Sequence, residues 1–191
     1  MISIQRILTI FILGIFININ VVTMILSDAH AVTGKTKSAN PRAKQRKVLY
    51  APTGYDRVGV IVNKGKEYKY YIFSRETPLK LELEGTTTLE VKVRLLYDVT
   101  MKGTQNFTVA IEQEGILGTR SQVASYSFTA EKSRISSLQG ENGVVPSKAH
   151  GFKLVVPDGK HQYVITLRST TAKSAAIRIL IPKRDIKPVK K

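Results

Sequence analysis

Apolar and charged residues alternate along residues 77–97, whose sequence is TPLKLELEGTTTLEVKVRLLY. Three leucines alternate with charged residues before a Gly-Thr turn, and leucine or valine then occupies every second position after it. A period of two puts successive side chains on opposite faces of a β-strand, so each run predicts a strand with one buried and one exposed face. Pairing the runs across their turn would place Glu82 opposite Glu90, and this repulsion favours strands that lie in opposite sheets.

The same alternation recurs in weaker form along the rest of the chain. Residues 58–62 and 68–73 are apolar or aromatic and flank an Asn-Lys-Gly-Lys sequence, which predicts a hairpin. Residues 152–156 and 163–167 flank Pro-Asp-Gly-Lys, in which proline presets φ and glycine accepts positive φ, and this pattern predicts a second hairpin. Residues 175–181 form a last predicted strand before a proline.

About nine short strands, no amphipathic helix and turn signals roughly every ten residues predict an all-β fold. The spacing favours an antiparallel β-sandwich of immunoglobulin-like type over a barrel. The predicted core faces comprise Tyr70, Ile72, Leu79, Leu81, Leu83, Leu89, Val91, Val93, Leu95, Phe107, Val109, Ile111, Tyr126, Phe128, Leu154, Val156, Tyr163, Ile165, Leu167, Ile177, Ile179 and Ile181.

Residues 1–31 have the pattern of a secretory signal peptide. Arg6 supplies the positive amino-terminal region, a long apolar run follows, and Ala29-His30-Ala31 is a small-residue cleavage site. We therefore expect cleavage after Ala31, a secreted or periplasmic protein, and no transmembrane span in the mature chain. The alternative is a retained anchor, because the apolar run approaches the ~20 residues that span a bilayer.

Basic segments flank the predicted β-domain, which covers residues 48–182. Residues 32–47 contain six lysines and arginines and no acid, which predicts a flexible linker because like charges repel and little can be buried. Residues 183–191 form a second basic segment, predicted to be frayed. The alternative function for the linker is a polybasic arm that lies on an anionic surface.

The composition excludes several classes of chemistry and leaves a preference for anionic partners. The chain has no cysteine, so it contains no disulfide, thiol nucleophile or thiolate metal site. We find no histidine spacing for zinc, no glycine-rich phosphate loop and no nucleophile elbow, so we expect no metal, no cofactor and no enzyme activity. The formal charge of +16 favours an anionic polysaccharide, an anionic lipid surface or an acidic protein, with no specific nucleic-acid motif.

Two regions supply candidate ligand-binding residues. Alternation along residues 67–73 predicts an exposed face with Lys69, Tyr71 and Phe73, where an aromatic ring can stack on a sugar while a lysine holds an anion. The second region is residues 131–151, which we interpret as a binding loop or a mobile loop because about twenty residues without periodicity exceed the usual connection. The candidates in this region are Arg134, Lys148 and His150. His161, beside the second predicted hairpin, is a further candidate.

The plan of the chain resembles small bacterial exported β-sandwich domains, in which a signal peptide and a tether precede one immunoglobulin-like unit. The resemblance covers residues 48–181 and rests on architecture. Our leading hypothesis is a non-enzymatic binding module that holds another envelope protein through its sheet edges and the long loop. The alternatives are a binder of anionic glycan or lipid headgroups, which would use the tyrosine and lysine strand face with the basic tails, and a hydrolase with a loop-built site.

Overall fold

Strands dominate the computed structural model, which describes residues 46–115 and 118–185. The strands are β1 (Lys47–Tyr50), β2 (Arg57–Asn63), β3 (Lys66–Ser74), β4 (Leu79–Glu84), β5 (Thr87–Tyr97), β6 (Gln105–Glu114), β7 (Arg120–Ala130), β8 (Ser136–Leu138), β9 (Val145–Pro146), β10 (His150–Val156), β11 (Lys160–Arg168) and β12 (Ser174–Pro182). A single turn of 3₁₀ helix, Lys183–Asp185, follows β12, so the predicted tail starts with an ordered turn. The predicted signal peptide and almost all of the predicted linker lie outside the described residues.

The strands form two antiparallel sheets, which confirms the predicted all-β class. The larger sheet has the order β10-β5-β12-β3-β2-β8, with β1 paired to β12 and β9 paired to β5. The smaller sheet has the order β4-β11-β6-β7. The immunoglobulin-like arrangement is not confirmed.

The main core lies between the two sheets and is built from the alternating residues that the sequence identified. One buried cluster joins the two sheets. It contains leucines of β4 and β11 from the smaller sheet, and leucine, valine and isoleucine residues of β5 and β12 from the larger sheet. All the predicted core residues are buried except Tyr126 and Phe128, which are half-buried. The expected pair of opposed strands is also confirmed, because β4 and β5 belong to different sheets.

A second, smaller buried cluster lies apart from the main core. It contains Tyr70 and Ile72 of β3 together with Ile61, Leu96, Leu138 and Ala176. Tyr71 and Phe73 of the same strand belong instead to the main core. Both faces of β3 are therefore buried, so the assignment of its exposed face from alternation was wrong.

The first predicted hairpin is confirmed. Strands β2 and β3 pair in antiparallel register as far as Asn63 opposite Lys66. Lys64 and Gly65 take the two central positions with φ of 51° and 73°. Positive φ at both positions is the geometry of a type I′ turn, whose twist matches that of the strands it joins.

The second predicted hairpin is wrong. Strand β10 pairs with β5 in the larger sheet, whereas β11 pairs with β4 and β6 in the smaller one. The Pro-Asp-Gly sequence between them therefore crosses from one sheet to the other. Gly159 has φ of 106°, and its carbonyl accepts a hydrogen bond from the Gly85 N–H at 2.8 Å, which ties this crossing to the turn between β4 and β5.

The long segment between β7 and β10 is part of the sheet and not an irregular loop. It contributes β8, which pairs with β2, and β9, which pairs with β5. Leu138 of β8 packs in the second buried cluster. We call residues 131–149 the cover segment.

Candidate functional site

Strand β7 is the longest edge strand in the described part of the chain. Its eleven residues pair with β6 on one side, and no described strand pairs with the other side. Residues 121–130 carry no charge and no proline. Charged side chains, proline and short length are the usual means by which proteins prevent an edge from pairing with another chain, and β7 has none of them over this stretch.

Alternation shows which backbone groups of β7 face outward. The Gly115 N–H donates to the Thr119 carbonyl at 2.7 Å, so the odd-numbered residues of β6 direct their backbone groups toward β7. Phe107 pairs with Phe128 in that register. Residues of β7 alternately direct their backbone groups toward β6 and away from it. The N–H and C=O groups of Ser125, Ser127 and Thr129 therefore face away from β6 and toward solvent.

A bulge limits the regular part of this edge. Ile111 lies opposite Ala124, whereas Glu112 lies opposite Gln122, so Val123 is the extra residue on β7. Residues 124–130 form the regular stretch beyond it. We call residues 124–130 the open edge.

The other edges of the two sheets are shorter or covered. Strand β4 alternates leucine with charged residues, and Lys80 exchanges backbone hydrogen bonds with Gly54. The hydroxyl of Tyr50 donates to the carbonyl of Glu82 on the same edge. Strand β8 has only three residues. Strand β10, at the edge of the larger sheet, has seven residues, and its Lys153 carbonyl accepts a hydrogen bond from Tyr126. Strand β7, with eleven residues, therefore forms the longest edge among the described strands.

Aromatic side chains close the gap between β7 and the edge strand of the larger sheet, β10. The ring of Tyr126 stacks on that of Phe152, with centroids 4.1 Å apart, and its hydroxyl donates to the carbonyl of Lys153 at 3.0 Å. The imidazole of His150 lies 5.1 Å from the ring of Phe128 and 5.7 Å from that of Phe107. These contacts fix the inner face of β7 and leave its backbone edge outward.

The cover segment is anchored by a buried arginine. Arg94 of β5 donates to the carbonyl of Ser147 at 2.6 Å and to the hydroxyl of Ser136 at 3.2 Å. Its Nε lies 3.4 Å from the hydroxyl of Tyr70. No ion pair joins Arg94 to a carboxylate in residues 46–115 and 118–185. The interpretation of this segment as a long mobile loop is therefore wrong, because its backbone is tied to the sheet beneath it. Its role as a binding loop stays a prediction.

The candidate residues of the cover segment lie at its ends. Arg134 is exposed, and Lys148 is exposed and forms an ion pair with Glu131. His150 follows as the first residue of β10 and is half-buried. The side-chain contacts of His150 are aromatic, so it is not part of a cationic cluster with the other two.

The predicted aromatic and cationic strand face is not assembled. Tyr71 is 2% exposed and Phe73 is fully buried, so neither offers a ring to a ligand. Lys69 is exposed and lies over the ring of Tyr71, with its Nζ 5.5 Å from the ring centroid. Burial raises the pKa of the Tyr71 hydroxyl, with a smaller contribution from Tyr55.

A cleft lies where β1, β4, β11, β6 and the end of β12 approach one another. Its volume is about 840 Å³, within the usual range for a small-molecule site. Its lining includes Tyr50, Leu83, Thr87, Gln113, His161, Ile181 and Asp185, with Glu82, Glu84, Glu114, Gly115, Lys160 and Gln162. His161 is the one residue predicted from the sequence as a binding residue that lies here.

No metal site accompanies these features. Within residues 46–115 and 118–185, no group of three or more histidine or acidic side chains could hold a metal ion. The two histidines within those ranges, His150 and His161, belong to β10 and β11, which lie in different sheets. In the same described ranges, no helix has the length and apolar character needed to cross a membrane.

Sequence reasoning missed both the open edge and the cleft. The uncharged run of residues 121–130 was visible in the sequence, but only the strand order shows that β7 lies at an edge. The cleft joins residues that are far apart in the chain, such as Tyr50 and Asp185. No local pattern could have grouped them.

Comparisons with known proteins add little. No protein-family model matches the chain, and no curated protein was found to match it. A family GH115 4-O-methyl-alpha-glucuronidase with specificity for decorated arabinogalactans aligns with 75% of this chain at 17% identity and a TM-score of 0.37. This chain spans 18% of the length of that enzyme. Eiger TNF from S. frugiperda aligns with 75% of this chain and 98% of its own at 10% identity and a TM-score of 0.31.

Proposed function

We propose that this protein is an exported, non-enzymatic binding module of the bacterial cell envelope that holds another envelope protein. The partner contributes an extended segment that pairs with the open edge and adds a fifth strand to the smaller sheet. The observation that carries the proposal is the open edge itself, an uncharged run at the rim of a rigid sheet. Main-chain hydrogen bonds supply the affinity in this mode of recognition.

The composition of the edge supports a protein segment as the occupant. A sugar or a lipid headgroup does not satisfy a row of alternating N–H and C=O groups, whereas a β-strand matches it in spacing. Arg120 lies at the start of β7, and the exposed Lys153 belongs to β10, whose backbone contacts Tyr126 in the middle of the open edge. We therefore expect a partner segment with acidic residues to be favoured over a basic one.

The amino-terminal sequence supports export. Residues 1–31 have the three parts of a secretory signal, and the following basic linker gives the domain a tether of about fifteen residues. A module of this kind works outside the cytoplasm, where its partner segment is presented by another envelope protein.

The strand order supports a jelly roll as the finer architecture. The eight long strands from β3 onward, omitting β8 and β9, alternate between the sheets except for the β6–β7 hairpin, and give the orders β3-β12-β5-β10 and β4-β11-β6-β7. Two interleaved antiparallel four-stranded sets of this kind make a double-sheet jelly roll. We therefore favour this arrangement over the immunoglobulin-like one predicted from the sequence.

The test is a proline at the open edge. Ser127→Pro removes an outward-facing N–H and leaves the hydrogen bonds to β6 in place, so the fold should be kept and strand addition should be lost. Ser127→Thr is the matched control, because it retains the N–H. Partners are recovered with the mature chain from envelope extract, and the bound complex is then examined by backbone hydrogen exchange.

The expected result is slowed exchange at Ser125, Ser127 and Thr129 in the complex, with binding lost in Ser127→Pro and kept in Ser127→Thr. Thermal unfolding of both variants establishes that they are folded. Binding that survives the proline, or protection elsewhere on the surface, would overturn the proposal. So would self-association of the purified mature chain through β7, because the occupant would then be a second copy.

A further inference from the structure

The cleft at the other edge of the smaller sheet has the features of a separate small-molecule site. Its lining comes from both sheets and from the 3₁₀ turn after β12. None of its described lining residues belongs to β7, so it does not share the surface proposed for the protein partner. Leu83 and Ile181, from opposite sheets, give it an apolar base.

The charges around the cleft differ in sign from those of the molecule. The chain carries a formal charge of +16, yet four of the lining side chains are carboxylates and one, Lys160, is a lysine. The Nη2 of Arg120 lies 3.8 Å from Oε1 of Glu114, and the Nε of Arg184 lies 3.2 Å from Oδ1 of Asp185. Both arginines are outside the lining and well exposed to water. Water screens such pairs strongly. The lining itself therefore carries more negative than positive side chains.

Glu82 is the carboxylate most available to a ligand. No ion pair joins it to a cation within the described ranges, and it lies beside the Tyr50 hydroxyl, whose hydrogen bond goes to the backbone carbonyl of Glu82. Burial raises the pKa of Tyr50, and the negative charge of Glu82 raises it further. The Tyr50 hydroxyl therefore remains protonated, and it donates its hydrogen to the protein backbone and not to a ligand.

Other lining groups also present acceptors. The Nε2 of His161 lies 3.0 Å from the carbonyl of Asp158, which can only accept, so Nε2 carries a proton and an unprotonated Nδ1 would be an acceptor. Nδ1 is buried and has no hydrogen-bond partner among the described residues. Thr87 donates its hydroxyl hydrogen to Asp185 at 2.7 Å, which leaves the threonine oxygen as an acceptor.

We propose that this cleft binds a ligand that carries a protonated primary amine. An ammonium group has three donors and no acceptor, which matches a site rich in carboxylates and acceptors. The apolar base formed by Leu83 and Ile181 accommodates the uncharged face of the ligand. This site acts independently of strand addition at the open edge.

The test compares three sugars that differ only at carbon 6. These are 6-amino-6-deoxyglucose, glucose and glucuronate, which at neutral pH carry an ammonium, a hydroxyl and a carboxylate at that carbon. Binding to the mature chain is measured by calorimetry and by amide chemical shifts. We expect the amino sugar to bind at least about tenfold more tightly than glucose, which corresponds to about 1.4 kcal/mol, and glucuronate to bind most weakly.

Two isosteric variants remove charge without changing shape. Glu82→Gln and Asp185→Asn should each weaken binding of the amino sugar about three- to tenfold and leave the affinity for glucose unchanged. Glu67→Gln is the matched control, because it removes the same charge from an exposed position of β3 outside the cleft. Equal losses in Glu67→Gln and Glu82→Gln would mean non-specific attraction and would overturn the proposal.

Other outcomes decide between sources of the amine. Nα-acetyl-lysine amide carries an amine without a ring, and tighter binding of this probe than of the amino sugar would identify a peptide side chain as the source. Tighter binding of the amino sugar would identify a saccharide. Glucose or glucuronate binding as well as the amino sugar would overturn the proposal, and so would shifts confined to residues outside the cleft.

Discussion

His150 shows how a single titratable residue acquires a structural role in this fold. Its imidazole packs against Phe107 and Phe128, at the place where the edge strands of the two sheets meet. Its Nε2 is buried and lacks a hydrogen-bond partner within the described residues. Burial lowers the pKa of His150, and the charge of Arg94 lowers it further. The folded protein therefore favours the neutral ring.

The lowered pKa predicts that stability decreases in mildly acidic solution. The unfolded chain takes up a proton on this histidine near the ordinary value of about 6.5, whereas the folded chain resists protonation. Because the unfolded state then binds more protons, the free energy of unfolding should fall as pH falls below about 6.5 and level off below the folded pKa. Urea unfolding at a series of pH values measures this slope.

The control separates His150 from the carboxylates. The hydrogen bond from Lys47 is the largest cause of the lowered pKa of Glu90, and such groups reduce stability only near and below the ordinary carboxylate value of about 4.5. Between about pH 5 and pH 7, His150→Gln should therefore flatten the slope. An unchanged slope in this variant would assign the effect elsewhere.

At the residue scale the sequence predicted burial well where one face of a strand is dry and the other wet. Leu81 and Leu83 are examples, because the charged residues on either side of each leucine are exposed. Alternation failed for Tyr71, because both faces of β3 are covered and period two then carries no information. It also gave no sign of Tyr97, which is fully buried and donates its hydroxyl hydrogen to the Ala130 carbonyl at 2.7 Å.

At the scale of elements, the cover segment depends on Arg94. The guanidinium satisfies the carbonyl of Ser147 and the hydroxyl of Ser136, which belong to two different parts of the segment. The Ser147 hydroxyl in turn accepts from the N–H of Leu95 at 2.9 Å. Removing the arginine leaves buried polar groups without partners and a cavity beneath the segment.

We expect Arg94→Ala to lower the free energy of unfolding by about 2 to 4 kcal/mol, because an unpaired buried acceptor and a cavity both destabilise. Arg57→Ala is a matched control, since Arg57 also contacts the cover segment, through Glu141, but is exposed. An exposed ion pair contributes about 1 kcal/mol or less. Chemical denaturation measures both, and equal effects would show that Arg94 is not the anchor.

The elements themselves could be predicted, but their partners could not. The Pro-Asp-Gly sequence before β11 allows the tight turn of a hairpin and also the turn that carries the chain from one sheet to the other. The turn residues therefore could not distinguish the two connections. Strands β8 and β9 have three and two residues, too few for any period to appear. The open edge required the order of the strands, which depends on contacts between distant parts of the chain.

At the scale of the whole molecule, the proposed export can be tested at the amino terminus. The proposed export predicts that the chain, expressed with its full amino terminus in a bacterial host, loses residues 1–31 and starts at Val32. Intact-mass spectrometry of the envelope fraction measures this directly. Ala31→Leu should block the cleavage, because the peptidase requires a small residue there. A full-length, membrane-bound chain would favour the retained anchor.

The crossing at Pro157–Gly159 also has a consequence for the rate of folding. Because β10 and β11 separate into different sheets, each must find partners that lie far away in the sequence, as β10 does with β5. Proteins dominated by such distant pairings fold slowly, over about milliseconds to seconds. Under the proposed export, this delay would help the chain to cross a membrane before it folds, since its long strands would remain unpaired until most of the sequence has emerged.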